Sequence, residues 1–336
     1  MNALGGDQWS QSEAGGGSIR YRAHGLDVVS AVELPALIRT NAPSPRGDVE
    51  IRWDGGSRLS SPADPAVVLL QCSTRHGAYY TGSAFAEGYR LTFHGHCEFL
   101  IDGELRTATC VGSGSLPSHA QVLASGALLS FILAIRGHCV LHASAVQMEG
   151  RAIAIVGASG FGKSTVAAAL CGVACKLVTD DVLRVDLDAD APAVARRGVR
   201  EIRLRAGARG IQHHFDPPVP SRETSDGRTA IRPAMTPHDE VPLSAIVVPR
   251  PSTSSGRLMV ERLAPAVALR QLLTYPRLLG WQHAATLARQ LSHLAAIARQ
   301  VPMYVVNMPS GLPTSQAGAA QLLERLSSLA TDSVTV

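Results

Sequence analysis

Aromatic residues and dense blocks of basic residues are both scarce in this 336-residue chain. Phe, Trp and Tyr make up only 4% of the sequence, which argues against a surface that stacks nucleic-acid bases. The formal net charge is only +4, and the most basic stretch, residues 196–209, contains no dense Lys/Arg block. A solvated face or a phosphate-facing loop accounts for such a stretch better than a DNA site does. We therefore expect no nucleic-acid partner.

Cysteine pairs and long apolar runs are also missing. None of the six cysteines forms a C-x-x-C pair, which favours buried thiols in a reducing compartment over disulfides or a zinc site. The longest mostly apolar run, Ala127–Ile135, is too short to span a bilayer and predicts a buried helix. Residues 1–18 are polar, rich in Gly and Ser and without the apolar core of a signal peptide, which predicts a flexible tail. We expect a cytoplasmic protein with no membrane partner.

The overall composition is that of a folded protein, and the chain is long enough for two domains. Hydrophobic residues make up 46% and charged residues 17%, so a sizeable core is expected and general disorder is excluded. Residues 19–116 contain short alternating runs between Gly, Pro and Asp, which predict a small β-rich N-terminal domain. Residues 117–336 alternate predicted strands and helices, which indicates an α/β domain. We expect mobile loops in it around residues 188–238, which are rich in Pro, Arg and Gly.

The strongest local signal is the segment Gly157–Ser164, which fills the P-loop pattern G-x-x-x-x-G-K-[ST] at every required position. The apolar run Ala152–Val156 predicts a buried strand before it, and Thr165–Leu170 predicts the beginning of a helix after it. A strand, a glycine turn and a helix start are the context that this motif needs. The sequence therefore predicts that the chain binds a nucleoside triphosphate.

Each part of the P-loop has a predicted role. Backbone N–H groups of the loop and of the helix N-terminus would surround the phosphate oxygens. Lys163 would contact the β- and γ-phosphates, and the Ser164 hydroxyl would bind Mg²⁺. The residues expected to contact the nucleotide here are Gly157, Ala158, Ser159, Gly160, Phe161, Gly162, Lys163, Ser164 and Thr165.

Two adjacent carboxylates, Asp180 and Asp181, follow the predicted strand Lys176–Thr179, seventeen residues beyond Lys163. Ligands in open α/β sheets lie at the carboxyl ends of the strands, so these side chains are expected to face the phosphates. One carboxylate can then hold Mg²⁺ through water while the other accepts a proton from an attacking hydroxyl. The alternative is an Asp pair that only caps a turn, which is common at strand ends.

His142 lies fifteen residues before Gly157, within the predicted strand Cys139–Val146. A lone His between two apolar residues is more often a core histidine than a catalytic group, so its spacing alone leaves both interpretations open. Glu201 lies in the region around 188–238, and its local pattern marks it as an ordinary charged residue.

Three segments together resemble the catalytic domain of the HPr serine kinase/phosphorylase family: Leu141–Val146, Gly157–Ser164 and Thr179–Val182. In that family a His begins a strand before the P-loop, and an Asp-Asp pair follows the P-loop helix. The short gap between Lys163 and Asp180 is similar to that of this family. ABC ATPases and GTPases fit less well, because their Leu-Ser-Gly-Gly and Asn-Lys-x-Asp motifs are missing. Phosphoenolpyruvate carboxykinases share a related core and are distant relatives.

The resemblance implies a P-loop core like that of HPr kinase and two further site residues. Glu201-Ile-Arg203 is similar to the family's Glu-Ile-Arg-Gly segment, whose Glu helps to bind Mg²⁺, although Leu204 replaces the glycine. Residues 240–251 are similar to the strand that leads to the family's Val-Arg-Pro-Gly loop near the transferred phosphate, which implies a nucleotide contact for Arg250. Arg250 is shifted by one residue and the glycine is absent, which argues against the phosphorylase activity of the bifunctional enzymes.

Within this family the chain is most similar to a diverged branch, the kinases of lasso-peptide biosynthesis, which phosphorylate a serine, often the C-terminal one, of a precursor peptide. The β-rich N-terminal domain, residues 136–146, the P-loop sequence Gly-Ala-Ser-Gly-Phe-Gly-Lys-Ser-Thr and the tail 263–326 carry this likeness. The resemblance covers residues 116–336 well and the N-terminal part loosely.

The resemblance and the motifs together imply an ATP- and Mg²⁺-dependent serine kinase whose partner is a precursor peptide or a small protein. Asp180 is expected to accept the serine proton, and Asp181, with His142, to orient that group and the metal; the two aspartates could exchange roles. The expected Mg²⁺ ligands are Ser164, Asp181 and Glu201. A bifunctional HPr-type kinase/phosphorylase, a non-catalytic nucleotide-binding regulator and, more weakly, a small-molecule kinase stay open, as does a homo-oligomeric state.

Overall fold

The computed structural model describes residues 18–41, 47–55, 67–75, 77–112, 118–252, 257–309 and 314–332. Within these residues the chain is a mixed α/β protein with two nine-stranded sheets and one three-stranded sheet. The expected α/β class is therefore confirmed. The predicted tail lies outside the described residues except for Ser18.

The first nine strands form one sheet. They are β1 Ile19–Ala23, β2 Leu26–Ser30, β3 Ile38–Arg39, β4 Val49–Asp54, β5 Val67–Thr74, β6 Gly77–Phe85, β7 Gly88–Phe93, β8 Cys97–Asp102 and β9 Thr107–Val111. Their order is β3-β1-β2-β4-β9-β8-β7-β6-β5. β4 is parallel to both of its neighbours, β2 and β9, whereas the other pairs are antiparallel. The alternating runs of the sequence thus correspond to strands with one buried face.

A long helix, α1 (Ser118–Ile135), packs against this first sheet. Its side chains Leu128, Phe131 and Ile132 belong to the same hydrophobic core as the strands. By length and composition α1 could cross a membrane, but 72% of it is buried inside the protein, as is usual for a core helix. The boundary predicted at residue 116 falls just before α1, whose buried face belongs to the core of the first sheet.

The second sheet carries the P-loop. The remaining strands are β10 Cys139–Leu141, β11 Ala143–Met148, β12 Arg151–Val156, β13 Lys176–Thr179, β14 Leu183–Asp186, β15 Val194–Arg196, β16 Ile202–Leu204, β17 Ser221–Glu223, β18 Thr229–Ile231, β19 Glu240–Ser252, β20 Met259–Arg262 and β21 Met303–Pro309. The second sheet has the order β10-β14-β15-β19-β12-β11-β13, with β21 and then β20 added beside β19. β12, β19 and β21 are parallel to one another, whereas β16, β18 and β17 form the small third sheet.

Helices cover the second sheet. They are α2 Lys163–Val173, α3 Pro265–Thr274, α4 Ala284–Gln300 and α5 Gln316–Asp332. A 3₁₀ helix spans Ala206–His214. α2 follows the P-loop and buries Val166, Ala167 and Leu170 against β11, β12 and β13. The small alanines on this face let the helix lie close to the strands, which keeps the P-loop fixed at the end of β12.

Two sequence predictions about local structure were wrong in part. The predicted strand Cys139–Val146 breaks at His142: β10 pairs with β14, whereas β11 pairs with β12 and β13. Apolar alternation continues through such a break, so the pattern could not show it. The region 188–238, expected to be irregular, contains β15 to β18 and the 3₁₀ helix. Its strands are three residues long, too short for a periodic signal.

A connecting arm, defined here as residues 275–283 between α3 and α4, joins the two sheets. The Gln71 N–H donates to Gly280 O at 2.9 Å, and the Gln282 N–H donates to Leu69 O at 2.7 Å. Gly280 has φ +79°, and a Cβ there would lie 1.8 Å from Gln71 O, so only glycine fits. The Trp281 ring stacks on Phe131 of α1 with centroids 6.0 Å apart.

We predict that Tyr80→Phe loosens this arm. The Tyr80 hydroxyl donates to Leu279 O at 3.1 Å and accepts from Leu279 N–H at 2.7 Å. Removing it leaves both backbone groups without this partner, which should lower the free energy of unfolding by about 1–3 kcal/mol. Urea unfolding measures the change. The matched control is Tyr79→Phe on the same strand, where the side chain is 37% exposed and little loss is expected; equal losses for both variants would contradict the role of the Tyr80 hydroxyl.

Candidate functional site

The P-loop connects β12 to α2 in the arrangement that the sequence predicts. Gly160 and Gly162 have φ of 92° and 88°, and Gly162 is the N-cap of α2. These left-handed conformations favour glycine, which explains its presence at both positions. Successive turns of this kind, leading into a helix N-terminus, form a concave site for anions.

Lys163 lies folded over the loop. Its ammonium donates to Gly157 O at 3.0 Å and to Ala158 O at 3.3 Å, and the side chain is 7% exposed. Burial lowers the pKa of Lys163, while the charges of Asp180 and Asp181 act in the opposite direction. An ammonium has three N–H donors, so these two bonds leave a third for an anion in the loop.

Asp180 lies directly beside the P-loop serine and is almost fully buried. Its Oδ1 accepts hydrogen bonds from the Ser164 hydroxyl at 2.9 Å and from the Ser144 hydroxyl at 2.6 Å. Its Oδ2 accepts from the backbone N–H of Arg203 at 3.3 Å. Three elements, β11, α2 and β16, therefore hold this carboxylate at the end of β13.

Asp181 has a different set of partners, all of them potential cations. Its Oδ1 lies 3.3 Å from His142 Nε2, and its Oδ2 accepts from Arg203 at 3.1 Å and from Arg277 at 2.8 Å. Burial alone would raise the pKa of Asp181, but Arg277, the hydrogen bond to His142 and Arg203 together hold it well below its usual value. Asp181 is therefore a firmly ionised carboxylate.

A sharp turn separates the two aspartates. Asp181 has φ 69°, a left-handed conformation that Asp adopts more readily than most residues, and the Val182 N–H donates to Asp180 O at 2.8 Å. The turn explains how two neighbouring side chains reach different partners. Asp180 contacts the P-loop serine, whereas Asp181 contacts His142 and the arginines.

A cleft of about 890 Å³, open to solvent, lies above the loop and is called here the P-loop cleft. Arg205 also lines it and donates to the Ser159 hydroxyl at 3.0 Å. The catalytic candidates His142, Asp180 and Asp181 all line the cleft. The predicted nucleotide contacts that line it are Ser159, Gly160, Gly162, Lys163, Ser164 and Thr165.

Two residues implied by the family resemblance lie elsewhere. Glu201 is 1% exposed, and its carboxylate accepts from Arg222 at 2.7 Å and from Arg232 at 2.8 Å. Its role as a Mg²⁺ ligand stays a prediction, and it would require these arginines to move. Arg250 is exposed near the end of β19, three residues beyond Val247, which is the last residue of β19 paired with β12. Neither Glu201 nor Arg250 contributes to the described lining of the P-loop cleft.

The donor set fits Mg²⁺ bound in the manner of a P-loop. In the described part of the chain no group of three or more His, Cys, Asp or Glu side chains could hold a metal by itself. Mg²⁺ in nucleotide sites usually takes only one or two protein ligands and completes its shell with water and phosphate oxygens. The hydroxyl of Ser164 and the carboxylate of Asp180 are adjacent oxygen donors of this kind.

Sequence reasoning missed two partners of the aspartates. Ser144 lies two residues after His142, and the two-residue period of an extended chain could have indicated a shared face. Arg277 lies 96 residues beyond Asp181 on the connecting arm, and no local pattern marks it. Long-range contacts of this kind appear only in the tertiary structure.

Comparison with known proteins adds no assignment. No protein-family model matches the sequence, and no curated protein matches it. The P-loop cleft and the two carboxylates beside it are therefore the features from which a function has to be inferred.

We predict that Asp181→Asn lowers the free energy of unfolding at neutral pH, because it leaves Arg203 and Arg277 without their shared anion. A carboxylate with a depressed folded-state pKa contributes stability that is fully present above its unfolded pKa, near 3.8, and is lost as the pH falls through the folded value. The difference from wild type should therefore be constant between about pH 5 and 8 and shrink below about pH 4.

Urea unfolding of both proteins from pH 3 to 8 measures this difference. The control is Asp190→Asn, an exposed aspartate, which should cost little at any pH. A difference that grows as the pH falls would contradict the ion-pair explanation.

Proposed function

We propose that the protein is an ATP- and Mg²⁺-dependent serine kinase that acts on a peptide or small protein, on a P-loop core of the HPr-kinase type. The single observation that carries the proposal is the position of Asp180, 2.9 Å from the Ser164 hydroxyl and on the wall of the P-loop cleft. A carboxylate at this position can accept the proton of an attacking hydroxyl group. The sequence resemblance to kinases of lasso-peptide biosynthesis makes a precursor peptide the first acceptor to consider.

The donor side of the reaction consists of the loop and its basic residues. The backbone N–H groups around Gly160 and Gly162 bind the phosphates, and Lys163 contacts the β- and γ-phosphates from the loop. Arg205, at the rim of the cleft beside Ser159, adds a further donor for phosphate oxygens. The Ser164 hydroxyl would hold Mg²⁺, which when bound neutralises charge on the β- and γ-phosphates.

Asp180 acts as the general base. It accepts the proton of the acceptor serine as the serine oxygen forms its bond to the γ-phosphorus. The bond from that phosphorus to the oxygen bridging to the β-phosphate breaks in the same step, and ADP leaves. Asp181 is poorly suited to this role, because Arg277, the hydrogen bond to His142 and Arg203 together hold its pKa well below its usual value.

Asp181 instead holds two arginine side chains in place. Arg203 and Arg277 converge on its Oδ2. Arg203 also lines the P-loop cleft, where its guanidinium group can stabilise the charge that develops on the transferred phosphoryl group. His142 contacts the other oxygen and fixes the orientation of the carboxylate. The arrangement holds these cations in place before the substrate binds, so little reorganisation is needed during the reaction.

We predict that Lys163→Ala weakens ATP binding at least tenfold, because the ammonium that contacts the phosphates is lost. Isothermal titration with ATP and Mg²⁺ measures the dissociation constant. The chain has one other lysine, Lys176, which is exposed at the start of β13, so Lys176→Ala is a matched control with an expected change of less than twofold. Equal affinities of the two variants would remove the P-loop from the proposal.

We predict that Asp180→Asn lowers phosphotransfer at least 100-fold, the contribution typical of a positioned general base. Mass spectrometry of a serine-containing peptide library incubated with ATP and Mg²⁺ measures the product. The variant should still unfold cooperatively and bind ATP, and Asp190→Asn should transfer phosphate at the wild-type rate. Near-normal transfer by folded Asp180→Asn would show that another group is the base.

A further inference from the structure

A second, narrower cleft reaches the same carboxylates and has a different set of lining residues. It shares Asp180, Asp181 and Arg203 with the P-loop cleft, whereas the rest of its lining is different. None of the described P-loop residues lines it. The two aspartates therefore line two clefts whose other walls differ.

The first sheet and α1 supply the walls of this second cleft. Pro35 and Ala36, in the segment between β2 and β3, form one side, and Val122 and Gly126 of α1 form the other. A Cβ on Gly126 would lie 2.9 Å from Arg277 Nη2 and 3.5 Å from Asp181 Oδ2, so the helix backbone approaches the site closely. Gly126 belongs to a π-helical turn at Ala124–Leu128, a distortion that often occurs at functional sites.

The buried Glu201 network fixes the wall that comes from the first sheet. Arg232, which pairs with Glu201, also donates to Pro35 O at 3.1 Å. The backbone N–H of Arg200 donates to Ala36 O at 2.8 Å. These two hydrogen bonds therefore fix the position of the segment around Ala36 relative to Glu201 and its neighbours.

We propose that this second cleft, which we name the acceptor cleft, admits the serine side chain of the acceptor peptide. The inference rests on the kinase function proposed above. In-line transfer requires the attacking oxygen and the leaving ADP on opposite sides of the phosphorus. With the triphosphate in the P-loop cleft, the acceptor cleft is the other route to Asp180.

The lining of the acceptor cleft defines the chemistry of its occupant. Its apolar walls, which exclude water around the serine, come from Pro35, Ala36, Val122 and Val199.

The experiment fills the acceptor cleft from either wall with Ala36→Trp and Val122→Trp. Val67→Trp on β5, where the side chain is 63% exposed, is the matched control. Each protein is incubated with [γ-³²P]ATP, Mg²⁺ and degenerate hexapeptides with one fixed Ser, flanked by either acidic or basic residues. Three quantities are measured: label in peptide, ATP hydrolysis to phosphate, and the ATP dissociation constant, with thermal melting to verify the fold.

In both cleft variants the transfer of label to peptide should fall at least tenfold, while ATP affinity and ATP hydrolysis stay within twofold of wild type. The control should behave as wild type. Cleft variants that fold, bind ATP and phosphorylate peptide at the wild-type rate would overturn the acceptor cleft and leave the kinase function standing. A wild-type protein that binds ATP but labels neither library would overturn the kinase function, and the acceptor cleft with it.

Discussion

The pairing of Asp181 with Arg203 and Arg277 is the contact on which the candidate site depends. Arg203 comes from the small third sheet, and Arg277 comes from the arm that is hydrogen-bonded to the first sheet. The two guanidinium groups favour the ionised form of the carboxylate, so Asp181 has its full set of partners only where these parts of the chain meet. The architecture of the protein thus converges on one carboxylate beside the P-loop.

A buried carboxylate, Glu201, is likewise paired with two arginines. Arg222 and Arg232 neutralise it, and Arg232 extends the connection to the segment around Pro35. Buried ion pairs of this kind add little net stability compared with apolar packing, but they penalise any alternative arrangement that separates the charges. Their effect here is to fix the position of the first sheet relative to the strand end that carries Asp180 and Asp181.

Much of the local structure could be predicted because its causes are local. The P-loop, the strand before it and the helix after it follow from glycine placement and apolar runs, and the structure contains all three. The position of Asp180 and Asp181 at the end of a strand was also predicted correctly. The break at His142 was missed, because hydrophobic alternation is the same whether one strand continues or two strands pair with different neighbours.

The sequence by itself determined that this chain has a P-loop followed by a pair of carboxylates, since the spacing along the chain controls both. Only the tertiary structure decided which partners those carboxylates have. Ser144 and Ser164 meet at Asp180, whereas His142, Arg203 and Arg277 meet at Asp181. The physical reason is that a charge finds its partners in space: Arg277 is 2.8 Å from Asp181 and 96 residues away from it along the chain.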